Sequence, residues 1–289
     1  MRSERLTGWI FVLPSLTVLF MVIAIPLGFS LVVSFFAYTF INPTFSVFVG
    51  LDNYKNAFSD PYFWNSLWVT VKFVVLVVSI EFTLGFIIAL MLNRDIKFKG
   101  VYYTILTMPM VMSPVAVGLI WKMLLHPDLG VLNYFIGLVG IKPVNWLGDP
   151  TMAFWSVLMV DIWQQISFMI LLLLAGLVSL PKEPFEAATI DGANEFQKLF
   201  YITIPLMKPV ILAAIVIRTI FAFRTYDLIY VLTRGGPGVS TDVLSYFIYR
   251  KTFMGLNLAE ASATSYVLLA VVLVLVVFMF RIIRRGSTL

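Results

Sequence analysis

The sequence predicts an all-α integral membrane protein with six transmembrane helices, and three observations carry that prediction. Hydrophobic residues make up 61% of the 289 positions and charged residues only 12%, against roughly 45–50% apolar residues in an ordinary soluble domain. Six apolar runs reach the length of about 20 residues that a helix needs to cross about 30 Å of hydrocarbon. The runs are continuously apolar and do not alternate, so transmembrane strands are excluded.

The first run, residues 9–36, follows Arg2 and Arg5. It is far longer than the roughly 7–15 residues of a signal-peptide core, and no small-x-small cleavage pattern follows it, so it reads as a retained anchor. Pro26 within it is expected to kink or break the helix. The second run, residues 69–92, carries Lys72 and Glu81, and the third, residues 102–125, carries Lys122 together with Pro109 and Pro114, which are likewise expected to break or kink their helix. The fourth, fifth and sixth cover residues 152–177, 209–231 and 263–283. Between them lie turns rich in glycine, proline and aromatics: residues 50–54 (GLDNY), 60–64 (DPYFW), 145–150 (NWLGDP) and 233–238 (TRGGPG). Such aromatics anchor a chain at the membrane interface or form a docking surface. No linker or convincing internal repeat separates these parts, so residues 1–289 read as one transmembrane domain.

Short loops retained in the cytoplasm carry an excess of lysine and arginine. With both termini inside, the cytoplasmic face receives Arg2, Arg5, Arg94, Lys97, Lys99, Lys182, Lys198, Lys208, Arg281, Arg284 and Arg285, whereas the outer face receives only Lys55, Lys142, Arg234, Arg250 and Lys251. The net charge of +5 follows from this topology. A nucleic-acid partner is not expected, because the basic residues sit at span ends and form no continuous stripe.

Several chemistries are excluded. The chain has no cysteine and one histidine, which removes disulfides, thiolate metal sites and a cysteine nucleophile. His126, in a His-Pro-Asp turn after the third run, has no clustered companions of the kind a metal needs. The 235–241 segment (GGPGVST) lacks the lysine of a phosphate-binding loop, so this chain is not expected to hydrolyse a nucleotide or bind a cofactor.

Ionisable residues inside a membrane are expensive and are treated as functional candidates. Asp161, Gln164, Gln165 and Phe168 recur at i, i+3, i+4 and i+7, and Arg218, Phe221, Ala222 and Thr225 repeat that spacing in the fifth run, so each set makes one helical stripe. The spacing favours a hydrated pathway lined by both stripes. The competing reading is that Asp161 and Arg218 pair structurally with each other or with Lys72, Glu81 or Lys122.

The long polar stretch between the fourth and fifth runs, residues 181–209, must leave the bilayer while tethered at both ends. Pro184 suits a first helical turn, Glu186 suits the positive end of a helix dipole, and Asp191-Gly192 provides a bend before a second helical stretch. Glu186-Ala187-Ala188, Gly192-Ala193 and residues 202–205 (ITIP) resemble the EAA loop of permease subunits in binding-protein-dependent ABC importers. Residues 50–54, 145–150, 190–193 (IDGA), 226–237 (YDLIYVLTRGGP) and 249–253 (YRKTF) are similar to the carbohydrate-importer branch, on the side of the larger maltose permease subunit. The resemblance covers almost the whole chain. The sequence departs from it where Ile204 stands for the usual leucine and Val69 for a common asparagine, and in the stripe of Asp161, Gln164, Gln165 and Arg218, which is more polar than its counterpart often is.

The resemblance implies a cytoplasmic coupling helix between the fourth and fifth transmembrane helices, with Glu186, Ala187, Ala188, Asp191, Gly192, Ala193 and Phe196 against an ATPase. It implies a second, homologous permease subunit in a heterodimer, two ABC ATPase subunits that carry the ATP and Mg, an extracytoplasmic solute-binding protein, and residence in a bacterial or archaeal cytoplasmic membrane. The expected cargo is a sugar or oligosaccharide, with Arg218 and Arg224 pointing to an acidic glycan. Two rival classes make different predictions. An ion-coupled secondary transporter or channel works without an ATPase, and a membrane glycan or lipid transferase turns over without transport.

Overall fold

The computed structural model describes residues 2–286, with side chains from 11 to 281. The side chains of Arg2, Arg5, Arg284 and Arg285, used above for orientation, lie outside the described residues. The described residues are almost wholly helical: α1 (Arg2–Val33), α2 (Asp52–Ser59), α3 (Pro61–Leu92), α4 (Lys99–Val111), α5 (Pro114–Leu124), α6 (Val131–Leu138), α7 (Pro150–Val178), α8 (Glu183–Ile190), α9 (Glu195–Lys198), α10 (Ile204–Phe223), α11 (Asp227–Leu232), α12 (Leu244–Tyr249) and α13 (Leu258–Gly286). By contacts they gather into two compact units, one of Asn65–Tyr246 with the end of α13, the other of the residues up to Trp64 with Phe247–Ala270.

Five helical stretches are long and apolar enough to cross a membrane, and α4 with α5 makes a sixth only as a broken pair bent by 98°. The third run, residues 102–125, is thus broken between its two prolines, as Pro109 and Pro114 lead one to expect. The helix ends at Met112 and Ser113, whose ψ angles of 143° and 134° are extended. Pro114 causes this, because its ring disfavours helical backbone in the residue before it. A carbonyl freed inside a bilayer needs a partner, and α7 supplies one at the break, where the Gln164 amide donates to Met112 O at 3.0 Å, while Ser167 Oγ ties α7 to α4 at Leu106 O. The fifth span is also interrupted, since α10 stops at Phe223 and α11 resumes at Asp227. Pro26, by contrast, does not end α1, which runs through it and through Pro14.

At 32 residues, α3 is about 48 Å long and starts well before the apolar run that predicted it. It packs with α7 and α10 around Phe86, Ala89, Met169, Ile170, Leu173, Leu177, Met207 and Ala214. Two glycines allow the close approach: a Cβ at Gly85 would lie 2.9 Å from Met169 Cγ, and one at Gly176 2.7 Å from Val210 Cγ1.

In the other unit, Asn53 donates to the carbonyls of Ser34 and Phe36, both at 2.9 Å, and so ties α2 to the end of α1. Lys251 bridges Asp60 at 2.9 Å and Glu260 at 3.2 Å, joining the start of α3 to the first turn of α13.

Candidate functional site

Two regions carry the polar chemistry, and the first lies in the middle of the spans. Arg218 on α10 meets Glu81 on α3 through a fork, with Nη2 to Oε1 at 2.9 Å and Nε to Oε2, and the same Nη2 donates to Asp161 Oδ2 on α7. Arg218, Glu81 and Asp161 are 1%, 0% and 3% exposed. A guanidinium suits this position because it stays charged and offers donors in a rigid fork that matches a carboxylate. Lys72 and Lys122 also find partners in the chain: the Lys72 ammonium lies 4.2 Å above the Phe154 ring and Lys122 donates to Val231 O at 3.1 Å.

The stripe read from the spacing therefore divides. Asp161, Gln164, Arg218 and Ala222 are buried inside the subunit, where a passing solute does not reach them. Gln165 and Phe168 are half-buried, Phe221 is exposed, and Thr225 is half-buried beside Asp161. Phe168 and Phe221 meet edge to face with ring centroids 5.9 Å apart. The expectation that Arg218 faces the path as a free cation is corrected, because its guanidinium is committed to two carboxylates. The competing reading, in which Arg218 pairs with Asp161 and Glu81, is the one the geometry matches, and spacing alone could not choose it because Glu81 stands on a helix distant in sequence.

The second region is the 181–209 segment. Pro184 lies in the first turn of α8 with Glu183 and Glu186, and the chain turns at Gly192 with φ +76°, a left-handed conformation that costs other residues strain. A capping box opens α9: Gln197 N donates to Asn194 Oδ1 at 2.9 Å and Asn194 N donates to Gln197 Oε1 at 2.8 Å. A π-helical turn over Leu199–Thr203 leads into α10. It lies directly before Pro205, which has no N–H to continue a regular α-helical ladder.

Thr189, Asn194, Gln197 and the Lys198–Glu195 pair bond locally, while large apolar side chains face outward: Ile190 is 86%, Phe196 75% and Tyr201 80% exposed. Glu186, Ala187, Asp191 and Gly192 are exposed, and Ala188 and Ala193 half-buried. A cleft of about 880 Å³ beside the segment gathers Asn93, Arg94, Lys99, Lys182, Glu186 and Lys198, so the loop after α3 and the loop after α7 share one end of this unit.

The remaining motifs act as pins. Asp149 caps α7, accepting from Thr151 N at 3.0 Å and Met152 N at 2.9 Å. In the 233–238 turn, Thr241 Oγ1 donates to Gly236 O at 2.8 Å, and Gly235 has φ +80° with the Tyr246 ring against it. Sequence reasoning missed Asn133 and Thr70. All four hydrogen-bonding capacities of the Asn133 side chain are used, and Thr70 Oγ1 accepts from Leu244 N at 2.7 Å. A lone amide or hydroxyl in an apolar run was their only signal. Among the described residues, no three His, Asp or Glu side chains gather as metal ligands.

Residues 81–286 match the family model described as binding-protein-dependent transport system inner membrane component. The chain belongs to that family. The permease is 39% identical over 252 residues to the trehalose/maltose transport system permease protein MalF of Thermococcus litoralis, covering 87% of this chain and 85% of the relative. It is 33% identical over 282 residues to the sulfoquinovosyl glycerol transport system permease protein SmoG of Agrobacterium fabrum, covering 98% and 92%. Its fold matches a chain of the bacterial alginate ABC transporter, solved in complex with an alginate pentasaccharide-bound periplasmic protein, with TM-score 0.86, 25% identity and coverage of 98% and 96%. The permease is accordingly a transport component and not an enzyme.

Proposed function

We propose that this permease forms one half of the translocation pathway of an ATP-driven importer for a sugar or oligosaccharide, with both termini and the α8–α9 segment on the cytoplasmic side of a bacterial or archaeal inner membrane. The observation that carries the reading is the α8–α9 segment itself. Asn194, Gln197, Glu195 and Lys198 bond to one another within it, its large apolar side chains are exposed, and the chain turns at Gly192 between its two short helices. Such a surface fits a groove in another protein. Glu186, Ala187, Ala188, Asp191, Gly192, Ala193 and Phe196 dock on one of two ABC ATPase subunits, which carry the ATP and Mg, while this chain binds no cofactor. A second homologous permease completes the pathway, and an extracytoplasmic solute-binding protein delivers the cargo.

Within the pathway, Gln165, Phe168, Phe221 and Thr225 are the residues of the two stripes still open to a solute. An amide, a hydroxyl and an edge-to-face aromatic pair suit sugars, which combine hydrogen-bonding hydroxyls with an apolar ring face. Asp161, Gln164, Arg218 and Ala222 support that surface from behind. An anionic glycan is the narrower reading, favoured by the substrates in the names of the SmoG and alginate relatives. Its cation is Arg224, exposed at the end of α10.

The experiment is uptake and ATP hydrolysis in proteoliposomes holding both permeases and the ATPase, supplied with loaded binding protein. Glu186→Ala or Gly192→Val is expected to leave hydrolysis running while uptake falls, with the permease still inserted. Uptake without any ATPase would instead establish an ion-coupled transporter. In the same assay, neutral and acidic glycans compete, and Arg224→Gln is expected to remove a preference for the acidic one.

A further inference from the structure

Between α5 and α7 the chain makes a short excursion that the transport reading leaves unused. Residues 129–141 contain no charged side chain, and Asp128 and Lys142 bracket them. The helix inside, α6, has eight residues, about 12 Å, and cannot span a bilayer. Its apolar side chains face outward, with Tyr134 and Leu138 each 66% and Phe135 58% exposed, and so do those just outside it, Leu129 at 86% and Val139 at 74%. A Cβ added at Gly137 or Gly140 would meet nothing within 4 Å, so the rest of the unit leaves this surface open.

The excursion is nevertheless held firmly at its root. The Asn133 amide donates to Pro127 O at 2.7 Å and Val144 O at 2.9 Å, and its oxygen accepts from Val144 N at 3.1 Å and the Trp146 indole at 2.9 Å. Ser156 Oγ then joins Trp146 O to α7 at 2.9 Å. The polar side chain that would have hydrated α6 is turned inward, leaving the Tyr134 phenol as its outward polar group.

We propose that residues 129–141 are a wedge seated in the external leaflet of the bilayer, with Leu129, Phe135, Leu138, Val139 and Ile141 among lipid chains and the Tyr134 phenol at the headgroups. This rests on the proposed orientation, which puts the α5–α7 connection outside. A bilayer is the occupant because the surface continues the exposed apolar face of α5 at Leu119 and Met123, and because a tyrosine between flanking charges is the pattern of an interfacial anchor. A soluble partner that docks and leaves requires a polar rim, and this segment has none between Asp128 and Lys142. The wedge fixes the height of the α5–α7 connection in the membrane.

The absence of cysteine makes the test clean. Phe135→Cys and Leu138→Cys are each spin-labelled in the full transporter in lipid nanodiscs, and collision rates with oxygen and with a water-soluble nickel chelate are compared. Labels at both sites are expected to collide more with oxygen, and a label at Lys142→Cys more with the chelate. Chelate-dominated collisions at 135 and 138 would overturn the wedge in favour of a water-facing surface, and collisions with neither reagent would overturn it in favour of coverage by the second permease. Val22→Cys on α1 reports lipid if the chain spans the membrane at all. Reaction of Lys142→Cys with an impermeant thiol reagent added outside intact cells tests the orientation separately.

Discussion

The Glu81–Arg218–Asp161 cluster and the α8–α9 segment are both polar interruptions of an apolar chain, yet they resolve in opposite ways. In the cluster, each charged group is answered by another from the same chain, on three different helices, and water is excluded. In the segment, polar groups are answered by neighbours three residues away, as with Lys198 and Glu195 at 3.0 Å, while the apolar groups are left open. A group satisfied inside the subunit holds that subunit together; a surface left unsatisfied states what must come from elsewhere. Polarity in a transmembrane run is therefore a poor guide to solute contact until its partners are known.

Substitution can break or sharpen that contrast. The largest effect is expected at Arg218. Arg218→Met strands two buried carboxylates, and breaking a buried ion pair costs about 3–5 kcal/mol, so the permease should be lost from the monodisperse peak in detergent. The triple replacement Glu81→Leu, Asp161→Leu, Arg218→Met removes all the charges at once and should recover most of that loss. Recovery would mark the cluster as a structural tie, whereas a stable triple variant without uptake would give it a direct role in transport.

In the exposed segment the stability effects are smaller. Asn194→Ala removes the cap of α9, worth about 1 kcal/mol, and should loosen coupling between hydrolysis and uptake while melting of the permease moves little. Smallest is the pH response of the Lys251 clasp. Burial alone would lower the Lys251 pKa, but the hydrogen bond to Asp60 and the charge of Glu260 outweigh it and hold the amine above its ordinary value. A raised lysine pKa contributes stability that is fully present below about pH 10.4 and lost as pH rises through the folded value. Thermal melts should thus show the clasp's full and pH-independent contribution between pH 6 and 9 and a loss only under strongly alkaline conditions, and Lys251→Met should remove that alkaline loss.

Much of the helical layout was legible in the sequence because span length, continuous apolarity and proline are local signals. Pro114 announced the break in the third span, although the donor to the carbonyl at the break, the Gln164 amide, stands 52 residues away on α7. The helix, bend, helix order of residues 183–198 was legible for the same reason, since Pro184, Gly192 and Asn194 act on their immediate neighbours. Pairing over distance was legible only as one of two alternatives, and the sequence could not choose between a pathway and a structural tie. Arg218 and Glu81 are 137 residues apart, and a periodicity that puts Asp161 and Arg218 on helix faces does not say which faces meet. The same blindness hid Asn133, whose partners reach from Pro127 to Trp146 across a loop of no regular period.

The most direct test of the account is photo-cross-linking from Ala187 and Phe196, each replaced by a photoreactive amino acid, in the transporter purified from native membranes. The account predicts adducts with a nucleotide-hydrolysing subunit whose yield changes when ATP is bound. Adducts with an extracytoplasmic protein, or none with any nucleotide-hydrolysing subunit, would contradict it.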